Sequence, residues 1–162
     1  MDFNKICPHC MHQVSGEGNC SYCKKNPKEV AEVSHQLRPF TILQGKYLVG
    51  DILGEGGFGI TYIGLDINLE IPVAIKEYFP SGTVMRETSV SMDVVSYSGD
   101  VGIRFRNNKE RFMREAKMLA RFSQVPEIVQ IKNFFKKKKI TTFCGNFYLA
   151  YIIKYILLQV PQ

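Results

Sequence analysis

Four cysteines and one glycine cluster carry most of the chemistry legible in this sequence. Cys7-Pro-His-Cys10 and Cys20-Ser-Tyr-Cys23 are two CxxC units separated by nine residues. Each unit can turn tightly and offer two thiolates, and four thiolates close a tetrahedral zinc site of the structural type, with no open position for catalysis. Gly16 and Gly18 lie between the units, where a reversing chain needs permissive backbone. His9 and His12 stand close by, but a histidine beside a complete set of four cysteines is read as a bystander. The competing reading is two pairs of surface thiols.

Gly54-Glu55-Gly56-Gly57-Phe58-Gly59 satisfies GxGxxG, a pattern used by dinucleotide-binding folds and by kinases alike. Context separates the two. A dinucleotide loop runs from a strand into a helix, whereas Ile60-Thr-Tyr-Ile-Gly continues as a second strand, and no GK[ST] ending marks a P-loop. A hairpin tip with little side-chain bulk can lie over a triphosphate and donate backbone N–H groups to it. Downstream, Val73-Ala74-Ile75-Lys76 ends an apolar strand on an ammonium, which is costly to bury without a partner. Glu115, three residues after Phe112 and four before Leu119, sits beside the apolar face of a helix and can be that partner.

The elements that must position these residues read as an α+β arrangement. KYLVGDIL and ITYIGLD are strands joined through the glycine cluster, and IPVAIKEYF is a third strand. A polar insertion, 81–106, precedes a helix over NNKERFMREAKMLARF, with Asn107 or Asn108 as its expected cap, and IVQIKNFF reads as a fourth strand. The organisation is a zinc-ribbon-like segment at 1–25, a polar linker at 26–44 with a helix-compatible run KEVAEVSHQLR, a body at 45–135 and an anomalous tail at 136–162.

The strings LGEGGFGITYIGLD, VAIKEYFP, RFMREAKMLARF and NFF, in this order, resemble the small lobe of a bacterial, clostridial-type group of serine/threonine protein kinases. Members of that group often begin with a CxxC…CxxC ribbon, and the resemblance covers roughly residues 5–135. It implies a kinase-like N-lobe of antiparallel sheet plus one helix, binding ATP with magnesium in the intact enzyme and phosphorylating protein substrates. By the same resemblance Leu53 and Ala74 contact adenine, Gly54, Glu55, Gly56, Gly57, Phe58 and Gly59 cover the phosphates, and Ile60 and Thr61 belong to the same nucleotide site. Lys76 and Glu115 form an ion pair that sets the lysine on the α- and β-phosphates. Thr61 departs from the valine usual in kinases, though its methyl can still pack on adenine.

The resemblance breaks after Phe135. A fifth strand and an acidic hinge are expected there, and KKKKITTFCGNFYLAYIIKYILLQVPQ follows instead. FYLAYIIKYI imitates a strand and hinge without the acid. A frameshift at the Lys136–Lys139 run is the expectation, with a diverged hinge as the alternative. No Asp-Phe-Gly occurs, and none of His9, His12 and His35 is followed by Arg-Asp, so the residues that orient the substrate hydroxyl and hold magnesium are missing from these 162 residues. The chain alone is therefore expected to be inactive. The alternative is a non-catalytic ribbon and N-lobe module that docks to protein, including an intact kinase. After Glu127 there are six lysines and no acid, so the first 127 residues balance at 15 basic and 15 acidic groups, which argues against a nucleic-acid surface. No secretory leader is read at the N-terminus, and the apolar stretch at Phe147–Val160 is too short for a spanning helix, so a cytoplasmic protein with reduced thiols and no membrane segment here is expected.

Overall fold

A computed structural model describes residues 2–86, 93–122, 130–137 and 140–146. Its strands are β1 (Ile42–Leu43), β2 (Tyr47–Gly56), β3 (Gly59–Asp66), β4 (Ile71–Tyr78), β5 (Val84–Arg86), β6 (Val94–Ser96), β7 (Ile131–Lys137) and β8 (Ile140–Asn146), and its helix is α1 (Asp100–Arg121). Six strands form one sheet in the order β1-β2-β3-β4-β8-β7, each neighbour antiparallel, while β5 and β6 make a separate small hairpin.

The register of β3 on β4 pairs Thr61 with Lys76, Ile63 with Ala74 and Gly59 with Tyr78. Because side chains alternate along a strand, these residues share one face, called inner here, and Ile60, Tyr62, Val73, Ile75 and Glu77 share the outer face. The outer face carries the largest core, in which Tyr62, Val73 and Ile75 pack with Leu37, Phe79, Val84, Val94 and Phe135. The inner face is covered at two ends. α1 packs Phe112 and Ala116 against Tyr78, and the cysteine-bearing segment packs Ile6 and Met11 against Leu48, Ile63 and Leu65.

Several expectations are revised. The helix begins at Asp100, so Asn107 and Asn108 lie inside it; its N-cap is Gly99, at φ 70°, with no side-chain cap. The residues before the expected helix are thus helical themselves, and Tyr78 fixes them by donating from its hydroxyl to the Phe105 carbonyl at 2.6 Å. The insertion also holds the β5–β6 hairpin, whose Val84 and Val94 enter the core. KEVAEVSHQLR forms no helix. It runs across the outer face, where Leu37 is buried and donates its N–H to the Tyr62 hydroxyl at 3.0 Å. The sheet continues past residue 135: β8 lies between β4 and β7, pairing Ile75 with Cys144 and Glu77 with Thr142. The β-branched and aromatic residues of ITTFCGN suit that position. The segment FYLAYIIKYI lies outside the described residues. Among the described residues no helix is long and apolar enough to cross a membrane.

Candidate functional site

The inner face presents two groups of chemically capable side chains, and the first is the cysteine cluster. The Sγ atoms of Cys7, Cys10, Cys20 and Cys23 all lie within 4.8 Å of one another. Cys7–Cys23 and Cys10–Cys20 are each 3.6 Å apart. A disulfide would need about 2.05 Å, so these are four free thiols. Tetrahedral zinc–sulfur bonds of about 2.3 Å would place sulfurs roughly 3.8 Å apart, and the observed spacing fits that set. The four could hold one metal ion.

Burial pushes the Cys7 thiol up to about 11, against the pull of the His9 backbone N–H, and it pushes Cys10 up as well. At Cys20 burial also opposes ionisation, but it is outweighed by backbone N–H groups of Cys23 and Tyr22, which bring that thiol down to about 7. One sulfur is thus ready to ionise near neutral pH. The two histidines are engaged elsewhere. His9 Nδ1 lies 2.8 Å from Asp51 Oδ2 and His9 Nε2 lies 3.0 Å from the Asn26 carbonyl, while His12 stacks on Tyr22 with centroids 3.5 Å apart.

The second group lies toward the other end of the inner face. β2 and β3 run into a turn at Gly57–Phe58, and a Cβ on either Gly56 or Gly57 would meet nothing within 4 Å. The backbone there is open to a ligand. Gly59 is different, since a Cβ at that position would collide with the Glu77 carbonyl oxygen, so the close approach of β3 to β4 requires glycine. Lys76 Nζ reaches Glu115 Oε1 at 2.9 Å and sits 5.8 Å from the centre of the Phe112 ring. The pair is 31% and 41% exposed. At that exposure an ion pair contributes little to stability, in the range of 0–1 kcal/mol. Its consequence is positional: the amine is held on the inner face, opposite Thr61 in register and two residues beyond the buried Ala74.

Leu53 is half-buried against the Ile6–Met11 cluster. Phe58 is exposed at the tip with the Arg111 guanidinium 5.7 Å from its ring, and the two help line a cleft of about 320 Å³ with Phe112, Arg114, Glu115 and Met118. Ile60, counted above with the nucleotide contacts, has its side chain buried in the outer-face core, because it is one residue out of phase with Thr61.

Sequence reasoning missed the charges on the opposite face. Glu77 and Arg86 form an ion pair at 2.6 Å with both side chains 0% exposed. Tyr62 donates its hydroxyl to the other Glu77 oxygen at 3.1 Å, and Arg86 Nε donates to the His35 carbonyl at 3.0 Å. Burial drives the Glu77 carboxyl above the usual carboxylate range against the pull of Arg86. The signal for Glu77 was present, since an acid one residue after Lys76 must face the other way. Nothing in the sequence pointed to Arg86 as its partner.

No protein-family model matches the chain. Among solved structures, the apo form of PpkA-294, a bacterial serine/threonine kinase, superposes with a TM-score of 0.64 at 29% sequence identity. The match covers 70% of this chain and 39% of that one. The lobe is kinase-like. This chain's antiparallel sheet with α1 packed on its inner face is consistent with a kinase-like small lobe, and the match spans about two-fifths of that structure's chain.

Proposed function

We propose that this chain is the nucleotide-holding small lobe of a serine/threonine protein kinase, preceded by a structural zinc knuckle pair. The observation that carries the reading is the 2.9 Å contact of Lys76 with Glu115 beneath a glycine hairpin, within a kinase-like sheet. The hairpin backbone at Gly54–Gly59 would cover the phosphates, Leu53, Thr61 and Ala74 would form the inner-face contacts to adenine, and Lys76 would neutralise phosphate charge while Glu115 holds it in place. Magnesium would be held by residues that this sequence does not contain, since neither the Asp-Phe-Gly aspartate nor a catalytic-loop aspartate and asparagine occurs in it. The 162 residues therefore bind nucleotide weakly and transfer no phosphate. Zinc would be held by Cys7, Cys10, Cys20 and Cys23 and would serve folding, with all four positions filled by protein.

An ATP analogue with a reactive acyl phosphate tests the nucleotide reading, because covalent capture registers even weak binding. Lys76 should be modified in preference to the surface lysines, and excess ATP should suppress the modification. Labelling spread evenly over the lysines, or insensitive to ATP, contradicts the reading. Protein purified without chelator should carry one zinc per chain by elemental analysis, lost on joint Cys20→Ser and Cys23→Ser substitution.

A further inference from the structure

The cysteine-bearing segment and the linker reach the glycine hairpin from opposite faces. On the inner face, the pairing of β2 with β3 is interrupted by register shifts between Val49 and Ile52 and between Ile52 and Gly54. The irregularity turns Asp51 away from its neighbour strand, and its N–H donates instead to the Pro8 carbonyl, inside the first CxxC unit, at 2.8 Å. His9 reinforces the contact through Asp51 Oδ2, with its own side chain only 6% exposed. Gly50 admits the unit, since a Cβ there would collide with Met11 Cε and the Pro8 carbonyl oxygen. Leu53, the last residue before the glycine cluster, packs on the same apolar group.

On the outer face the linker holds the hairpin arm leading to the tip. His35 Nε2 lies 2.9 Å from Glu55 Oε2, with Gln36 Nε2 at 3.4 Å from the same oxygen. His35 is anchored in turn: its carbonyl accepts from buried Arg86, and its ring stacks on Phe79 with centroids 5.6 Å apart.

We propose that the N-terminal segment is a metal-dependent clamp on the glycine hairpin, in which the loaded first knuckle fixes β2 at Asp51 and the linker fixes Glu55, so that metal occupancy sets the mobility of the lid. The inference rests on the metal and nucleotide readings above. A tetrahedral site holds Cys7 and Cys10 in one geometry, and Pro8 and His9 lie between them, so both contacts to Asp51 depend on a turn that the metal rigidifies. His9, Asp51 and His35 act through the hairpin as positioning residues.

Amide hydrogen exchange on the full 162-residue chain tests the clamp without requiring nucleotide. Zinc content is measured alongside, and β4 residues Ile71–Ile75 serve as the reference. Removing zinc with a chelator should accelerate exchange across Asp51–Gly59 by about tenfold or more while leaving the β4 reference unchanged. With zinc retained, His9→Ala should free Asp51–Gly54 and His35→Ala should free Glu55–Phe58. If zinc binds and its removal alters only residues 2–25, the clamp is overturned while the metal reading stands. If no zinc binds, the metal reading and the clamp fall together. If chelation accelerates the β4 reference as well, zinc-loaded His9→Ala decides: a faster hairpin supports the clamp, and an unchanged one overturns it.

Discussion

Lys76 and Glu77 are neighbours with opposite environments, and the difference follows from strand alternation alone. Lys76 faces the inner side, partly exposed, and reaches Glu115, whereas Glu77 faces the outer core and is closed over by Arg86, Tyr62 and the linker. Removing one partner of a buried pair leaves an uncompensated charge, so Glu77→Gln should cost about 3–5 kcal/mol. Joint replacement of Glu77 and Arg86 by apolar residues should cost less than the two single changes summed, and urea unfolding of the three variants measures both. The thiols give a pH prediction. In the metal-free fold Cys20 is depressed to about 7, so its contribution to stability is present above the ordinary thiol value of 9.0 and lost as pH falls through 7. Cys7, raised to about 11, acts in the opposite sense: its contribution is present below 9.0 and lost as pH rises through 11. Protons compete with metal for all four sulfurs, so zinc affinity should already decline as pH falls from about 11 and decline more steeply below about 7, where Cys20 protonates too, and loading at neutral pH should release protons. Competition titrations at several pH values, with an indicator for the released acid, check both. The cysteines, Lys76 and Glu115 were legible because their types and spacings are rare together. Arg86 and His35 were not, since a single charge in a polar stretch has the same sequence appearance whether solvated or buried.

At the scale of elements, the hairpin, the third strand and the fourth strand were legible from β-rich runs broken by glycine, and their register puts the inner-face residues together. The linker was misread because its helix-compatible pattern competes with tertiary contacts. Leu37 and His35 are both committed to the outer face, and residues two apart on a helix point to different faces, so a helix could not present both there. The helix start was misplaced because its cap is a positive-φ glycine rather than an asparagine. The docking of the ribbon leaves only a glycine as its trace in the sequence. Gly50→Ala should therefore disturb the interface between the first knuckle and β2, since a methyl there meets the Pro8 carbonyl, a backbone atom that cannot move alone. The expected cost is on the order of 1–3 kcal/mol, with loss of protection at Asp51. Thermal unfolding and amide exchange of the variant measure the two effects.

For the whole molecule, the proposed function would have the sheet supply one wall of a nucleotide site: the glycine hairpin as a lid, Lys76 with Glu115, and an apolar surface between the cysteine-bearing segment and α1. Sites for small molecules bury about 70–90% of their ligand, and one wall reaches less than that. The chain should accordingly transfer no phosphate to a generic basic protein, with Lys76→Met making no difference; phosphotransfer abolished by that substitution would show catalytic groups outside those identified. ATP with magnesium should bind in the millimolar range, corresponding to about 4 kcal/mol. The most direct measurement is a two-dimensional NMR titration of the isotope-labelled chain with magnesium ATP. Shifts should concentrate at Leu53–Gly59, Thr61, Ala74 and Lys76 and should be absent from the outer-face residues Val84 and Val94. Saturating shifts elsewhere on the lobe, or none at the hairpin at about 10 mM nucleotide, would contradict the assignment of this face as a nucleotide site.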